Sequence, residues 1–345
     1  MPSITDTNSA PAKILLIGKS GAGKTGSLAS LVAAGYNLRI LDTDKGIRPL
    51  RSLILDPRYP YHKIIQEKNI NLTYAVRYVE ISTEMRMRSM QKKIGENKFT
   101  TETILAPKDA NAWPRAMNLL DKWKEDDIDL GPVSSWDVND VLVLDSFSTL
   151  ARCAYYFAQS LNSRLGARDI GYDYQRDVGE AQAQLTRLLE LLYDSNIKCN
   201  VIVISHITWV DESQGVASRP KSSDGENKGM VFSNPDGYPS AIGRALSPQM
   251  GKYFNDVYIV QSAGSGSSVT RTISTVPQEG VIAKHSTFLE REYPIQNGLA
   301  KIFSALHERP FDPNLENIST RQRIALPSGE NPNQSTLQPR ARAQT

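Results

Sequence analysis

The chain has 345 residues, 40% apolar and 22% charged, an ordinary globular balance that suits one large α/β domain or two smaller ones. Its two cysteines, Cys153 and Cys199, form no CxxC pair and its four histidines are scattered, which argues against a disulfide framework or a zinc site and for a reducing, intracellular setting. The formal charge of +3 is matched by Arg321, Arg323, Arg340 and Arg342 against Glu330, so the rest of the chain is neutral, and composition neither supports nor excludes DNA as a partner.

The first dozen residues are polar, with Pro2 and Pro11, and read as a flexible leader over 1–12 with no signal-peptide pattern. ILLIG at 14–18 predicts a buried strand, SLASLVAAG at 27–35 a helix ended by Gly35, and LRILD at 38–42 a second strand. Further strands are predicted at 74–81, 141–145, 200–205, 256–260 and 269–275, with helices between them at about 112–125, 148–164 and 175–194. Continuous apolar strands separated by helices imply a mostly parallel α/β sheet with helices on both faces. Two stretches interrupt the alternation and read as insertions, at about 83–111 and 209–251. In the first, the basic run from Arg86 to Lys98 reads as an exposed helix face, with a nucleic-acid contact as the alternative; EDDID at 125–129 reads as a solvated helix end rather than a metal site. From 311 to 345 the composition turns to Pro, Asn, Gln, Ser and Arg, and a disordered tail is expected after a domain spanning 13–310. No apolar run approaches the ~20 residues of a membrane helix, and the expected setting is the cytoplasm, with no membrane partner.

Residues 18–25 read GKSGAGKT, a full match to G-x-x-x-x-G-K-[ST], placed between a strand and a helix as a P-loop requires. Its backbone amides, from Gly18, Lys19, Ser20, Gly21, Ala22 and Gly23 through Lys24 and Thr25, would cradle phosphates. Lys24 would reach the β- and γ-phosphates and the Thr25 hydroxyl would ligate Mg²⁺. VLVLDS at 141–146 delivers Asp145 to the carboxyl edge of the sheet as the second metal residue, or as an N-cap of the helix that follows. In ILDTDKG at 40–46, Asp42 and Asp44 would project to one side as the chain leaves the sheet.

GKSGAGKT, ILDTDKG, VLVLDSFSTLA and VIVISHI, in this order and spacing, resemble the RecA-like P-loop ATPases, and especially the bacteriophage AAA-type nucleotide-binding and Sak-type single-strand annealing group, over roughly residues 13–290. The resemblance implies ATP and Mg²⁺ as ligands and ATP hydrolysis coupled to single-stranded DNA in phage-type recombination or replication. It also implies a homo-oligomeric ring or filament, or phage replication proteins as partners, in a bacterial host's cytoplasm. Its members end the strand after the P-loop helix in Asp-x-Glu, the Glu activating the attacking water. Here the matching residues are Asp42, Thr43 and Asp44, so Asp44 takes the catalytic place with a side chain one methylene shorter. Ser205 and His206 match the polar pair that senses the γ-phosphate, which makes His206 a catalytic candidate beside Lys24 and Asp44. The segment that follows corresponds to a mobile DNA-binding loop and holds Arg219, Lys221, Lys228, Phe232, Tyr238, Arg244 and Lys252 among several carboxylates. Arg271 or Lys284 would serve as a cationic finger across a subunit boundary. Two other readings stay open: a nucleotide-gated loader or packaging accessory acting on a protein partner, and a small-molecule P-loop kinase.

Overall fold

The computed structural model describes residues 10–93, 98–166, 171–210, 236–243, 245–265, 268–278, 280–316 and 318. Its strands are β1 Lys13–Gly18, β2 Asn37–Asp42, β3 Val76–Glu80, β4 Met85–Lys93, β5 Phe99–Pro107, β6 Trp123–Glu125, β7 Ile128–Gly131, β8 Asp140–Asp145, β9 Asn200–Ser205, β10 Ile207–Val210, β11 Asp236–Pro239, β12 Asp256–Ala263, β13 Thr270–Ser274 and β14 Glu292–Pro294. Eight of them form one sheet in the order β14-β13-β12-β1-β9-β8-β2-β3. From β12 to β3 every pairing is parallel, and β13 and β14 add an antiparallel edge.

Successive strand side chains point to opposite faces, and the apolar runs sort accordingly. Leu15, Leu142, Leu144, Val201 and Val203 enter a core with helices Ala112–Asp121, Phe147–Leu161 and Gly171–Tyr193. Ile14, Leu16, Ile40, Val143 and Ile202 enter another, with helices Ala29–Ala34, Arg48–Leu55, Pro60–Glu67 and Gly298–Leu306. A strand buried on both sides has no room for polar alternation, which is why these strands read as unbroken apolar runs. The result is a mostly parallel α/β architecture with helices on both faces, with β9 inserted between the strand that leads into GKSGAGKT and the strand carrying Asp145. Among the described residues, no helix is long and apolar enough to cross a membrane.

Three expectations need correction. The run from Arg86 is not a helix: Met85–Lys93 is strand β4, paired antiparallel with β5 from Met85↔Pro107 to Lys93↔Phe99. Met-Arg-Met-Arg alternates with period two, and the partner FTTETILAP is rich in β-branched residues, so both halves favour a hairpin. EDDID is likewise not a helix end, because the helix stops at Asp121 and Glu125 to Ile128 turn the β6–β7 hairpin, with Asp126 at φ 50°. The strand expected at 74–81 starts later, after a helical turn at Leu72–Ala75.

Most of the second insertion, 211–235 with Arg219, Lys221, Lys228 and Phe232, lies outside the described residues, as do Arg244, residues 1–9 and residues 319–345. Its described remainder is packed: β10 pairs with β11, and Leu246 and Met250 are buried. Chain packing also continues past 310. Leu315 is fully buried, Asn297 Nδ2 donates to its carbonyl at 3.1 Å, and Lys301 pairs with Glu316 at 2.9 Å.

Candidate active site

At the carboxyl edge of the sheet, β1, β9, β8 and β2 end side by side at Gly18, Ser205, Asp145 and Asp42. Gly18 has a packing reason to be glycine, since a Cβ there would lie 2.4 Å from the Val260 carbonyl oxygen of β12. Gly23 has a conformational one, with φ at 105°, and a Cβ there would also meet the Arg271 side chain at 3.0 Å. Between them the loop folds back so that Lys24 Nζ donates to the carbonyls of Gly18 at 2.7 Å and Lys19 at 2.9 Å. Burial pulls the Lys24 ammonium down to about 8, against the attraction of Asp145 and Asp44.

Thr25 Oγ1 donates to Asp145 Oδ2 at 2.6 Å, so the hydroxyl and carboxylate assigned to the metal are already together. Burial raises the Asp145 carboxyl to about 6; Asp42 and Asp44 push the same way, while the Thr25 hydrogen bond and Lys24 oppose. Asp145 is not the helix cap. That place belongs to Ser146, whose Oγ accepts from the Thr149 amide at 3.5 Å. A compact Mg²⁺ site suits this pair, because the ion keeps several waters and takes one or two carboxylates together with phosphate oxygens. Among the described residues, no group of three or more His, Cys, Asp or Glu gathers as a separate metal cage.

Asp42 and Asp44 do not project together as the strand geometry suggested, because the chain bends at Thr43. Asp42 turns inward and accepts from the amides of Gly46 at 2.9 Å and Ile47 at 3.2 Å, fixing the loop behind it. Burial raises its carboxyl, only partly offset by those amides. Thr43 Oγ1 donates to the Ser146 carbonyl at 2.7 Å and accepts from the Ser146 amide at 2.9 Å, and its own amide donates to the Asp145 carbonyl at 2.6 Å. Asp44 is left facing the pocket. Its Oδ1 accepts from Thr149 Oγ1, and its Oδ2 lies 3.1 Å from His206 Nε2. Burial alone would raise the Asp44 carboxyl, but hydrogen bonds from His206, Thr149 and Ser146 outweigh it and hold the group at about 2.

The expected polar pair divides. Ser205 is fully buried, with its Oγ 3.2 Å from Ser148 Oγ and donating to the His206 and Ser240 carbonyls, whereas His206 alone reaches the pocket. Thr149 was not singled out in the sequence, although it lies one helical turn after the Ser146 cap in VLVLDSFSTLA, where a side chain returns to the strand end. Arg271 sits against the phosphate loop of its own chain, with Nε 3.4 Å from the Gly21 carbonyl. Lys284 is elsewhere, its backbone paired with Val257 near the start of β12.

These groups line part of a cavity of about 580 Å³. Leu53, Tyr59, Pro60, Tyr61, Ile295 and Ile318 also line it, and Tyr61 is fixed by its hydroxyl to the Gln296 carbonyl at 2.5 Å. A triphosphate with a flat apolar base suits a lining that combines polar and apolar groups. Sequence reading missed this apolar lining because its parts lie far apart in the chain, and because Ile318 falls within the stretch expected to be disordered.

No protein-family model matches the chain, and no curated protein matches it. Among solved structures the chain is similar to a KaiC-like protein from Pyrococcus horikoshii OT3, with 12% identity, 83% of this chain and 85% of that chain covered, and a TM-score of 0.34. It is similar to the flagellar accessory protein FlaH from Methanocaldococcus jannaschii at 12% identity, with 82% and 84% covered and a TM-score of 0.33. The same identity and TM-score, 12% and 0.33, relate it to an ATPase from the type III secretion system of pathogenic bacteria, with 73% of this chain covering 52% of that one.

Proposed function

We propose that the chain binds ATP with Mg²⁺ and hydrolyses it, and that hydrolysis is coupled to single-stranded DNA. One observation carries the nucleotide part: a single cavity joins a complete phosphate loop, the Thr25–Asp145 pair at 2.6 Å and the ionised Asp44. The loop amides and Lys24 would hold the phosphates, while Thr25 and Asp145 would hold the metal, which would supply positive charge at the phosphate oxygens. Asp44 faces the pocket with His206 on one carboxylate oxygen and Thr149 on the other. From that position its carboxylate would orient the attacking water and accept the proton it sheds. The DNA part rests on the resemblance of the motifs, and a ring or filament of copies belongs to the same reading.

A second reading is favoured by one specific feature. Both Asp44 oxygens are engaged by side chains of the same fold, which suits slow turnover and a nucleotide-gated switch acting on a protein partner. ATPase rate with and without single-stranded oligonucleotide separates the two. Stimulation by the oligonucleotide is the expected result, and an equal slow rate in both conditions favours the switch.

A further inference from the structure

Arg271 lies on β13, and its backbone is held from both sides. It is in register with Ser262 of β12, and its carbonyl accepts from the amide of Ile295, just after β14, at 3.0 Å. The residue is exposed, yet its side chain runs to the phosphate loop of its own chain. A Cβ on Gly23 would lie 3.0 Å from Arg271 Cδ and 3.5 Å from Ile295 Cγ1, and Arg271 Nε is 3.4 Å from the Gly21 carbonyl oxygen. Arg271 therefore stands where the loop meets Ile295, and it lines the same cavity as Lys24 and Thr25.

The contact with Gly21 does not account for an arginine here. At 3.4 Å it is long for a nitrogen donor and a carbonyl, for which about 2.9 Å is usual. Among the described residues no carboxylate pairs with Arg271, and of its guanidinium donors only Nε–H has a partner. A carbonyl does not neutralise a guanidinium, so the charge is available to an anion in the cavity. Lys24, which the motif assigns to phosphates, rests in the same way on the carbonyls of Gly18 and Lys19. Two cations from separate elements thus flank one loop. A triphosphate keeps net negative charge after Mg²⁺ and Lys24 are counted, and the planar fork of an arginine matches phosphate oxygens two at a time.

We infer, on the ATP reading above, that Arg271 is a phosphate-binding residue for the nucleotide of its own chain. That place differs from the finger across a subunit boundary that the motifs suggested. A side chain already lying on the loop it would serve needs no second copy to reach it.

The test is calorimetry of the full chain with Mg²⁺-ATP and with Mg²⁺-tripolyphosphate, for wild type, Arg271→Gln and Arg271→Lys. The glutamine variant should bind both ligands at least about tenfold more weakly, as for loss of a charged hydrogen bond. The lysine variant should recover part of that loss, because it keeps the charge but not the fork. Equal affinities in wild type and Arg271→Gln would overturn the assignment and leave ATP binding standing. A loss for ATP with none for tripolyphosphate would place Arg271 on the base, and the phosphate assignment would fall. No binding of either ligand by wild type would overturn the ATP reading itself. Co-expression of Arg271→Ala with Lys24→Ala separates the two geometries. The ATPase rate should be the average of the two variants alone, since no copy then has both cations. A rate above that average needs Lys24 of one copy and Arg271 of another in one site, and would overturn the same-chain contact.

Discussion

One part of the cavity lining is eight consecutive residues from Gly18 to Thr25; another brings Tyr59, Ile295 and Ile318 together from distant parts of the chain. The first part is local, and its shape follows from glycines that alone tolerate the close approach to Val260 and the positive φ at Gly23. The second is tertiary, and exists only because β14 and the segment around Leu315 pack back onto the domain. On the proposed function, affinity for the phosphates would be written in one motif, whereas affinity for the base would depend on the completed fold.

That division is broken most directly by Lys24→Ala, expected to lower ATP affinity by roughly 100-fold or more, since it removes a charge-assisted contact inside a buried loop; titration calorimetry reads it. Asp44→Asn should cut the turnover number by about 100-fold while nucleotide affinity stays within about threefold, the pattern of a group acting mainly in the transition state. Normal turnover in that variant would remove Asp44 from the chemistry. Ile318→Ala sharpens the contrast between the two parts of the lining: ATP affinity should fall by about threefold to tenfold, the range for a partial loss of apolar burial, while Mg²⁺-tripolyphosphate binds unchanged. A parallel loss for tripolyphosphate would show that the two parts are not separable.

The smallest effect concerns protons. In the free protein Lys24 titrates near 8, below its ordinary 10.5, so its charge is costly below about 8 and that cost disappears as the pH rises toward 10.5. A bound triphosphate favours the charged form and raises the value again. At pH 8.5 binding should therefore take up a fraction of a proton, seen as a dependence of calorimetric heat on buffer ionisation enthalpy. Asp145, near 6, is ionised at that pH and adds nothing. Lys24→Arg should abolish the uptake, because a guanidinium stays charged throughout.

The sheet and the phosphate loop were legible because each is encoded by contiguous residues: unbroken apolar runs for strands covered on both faces, and glycines at fixed offsets for the loop. Asp145 was legible for the same reason, as the end of one such run. His206 and Asp44 were placed by motif order, but their hydrogen-bonding contact joins β9 to the loop after β2, and nothing in either segment alone specifies it. The hairpin at Met85–Lys93 was misread because a charged run was weighed by composition and not by its period of two. Ile318 was lost because its neighbours are polar, although the isoleucine itself packs with Leu289 and Ile295.

Thr43 grips both the amide and the carbonyl of Ser146, so the loop bearing Asp44 and the turn following Asp145 are riveted into one piece. The carboxylates of Asp44 and Asp145 therefore cannot drift apart by motion of these two loops relative to each other. Opening or closing the space between them is left to rotation of the Asp44 and His206 side chains, a picosecond-to-nanosecond event.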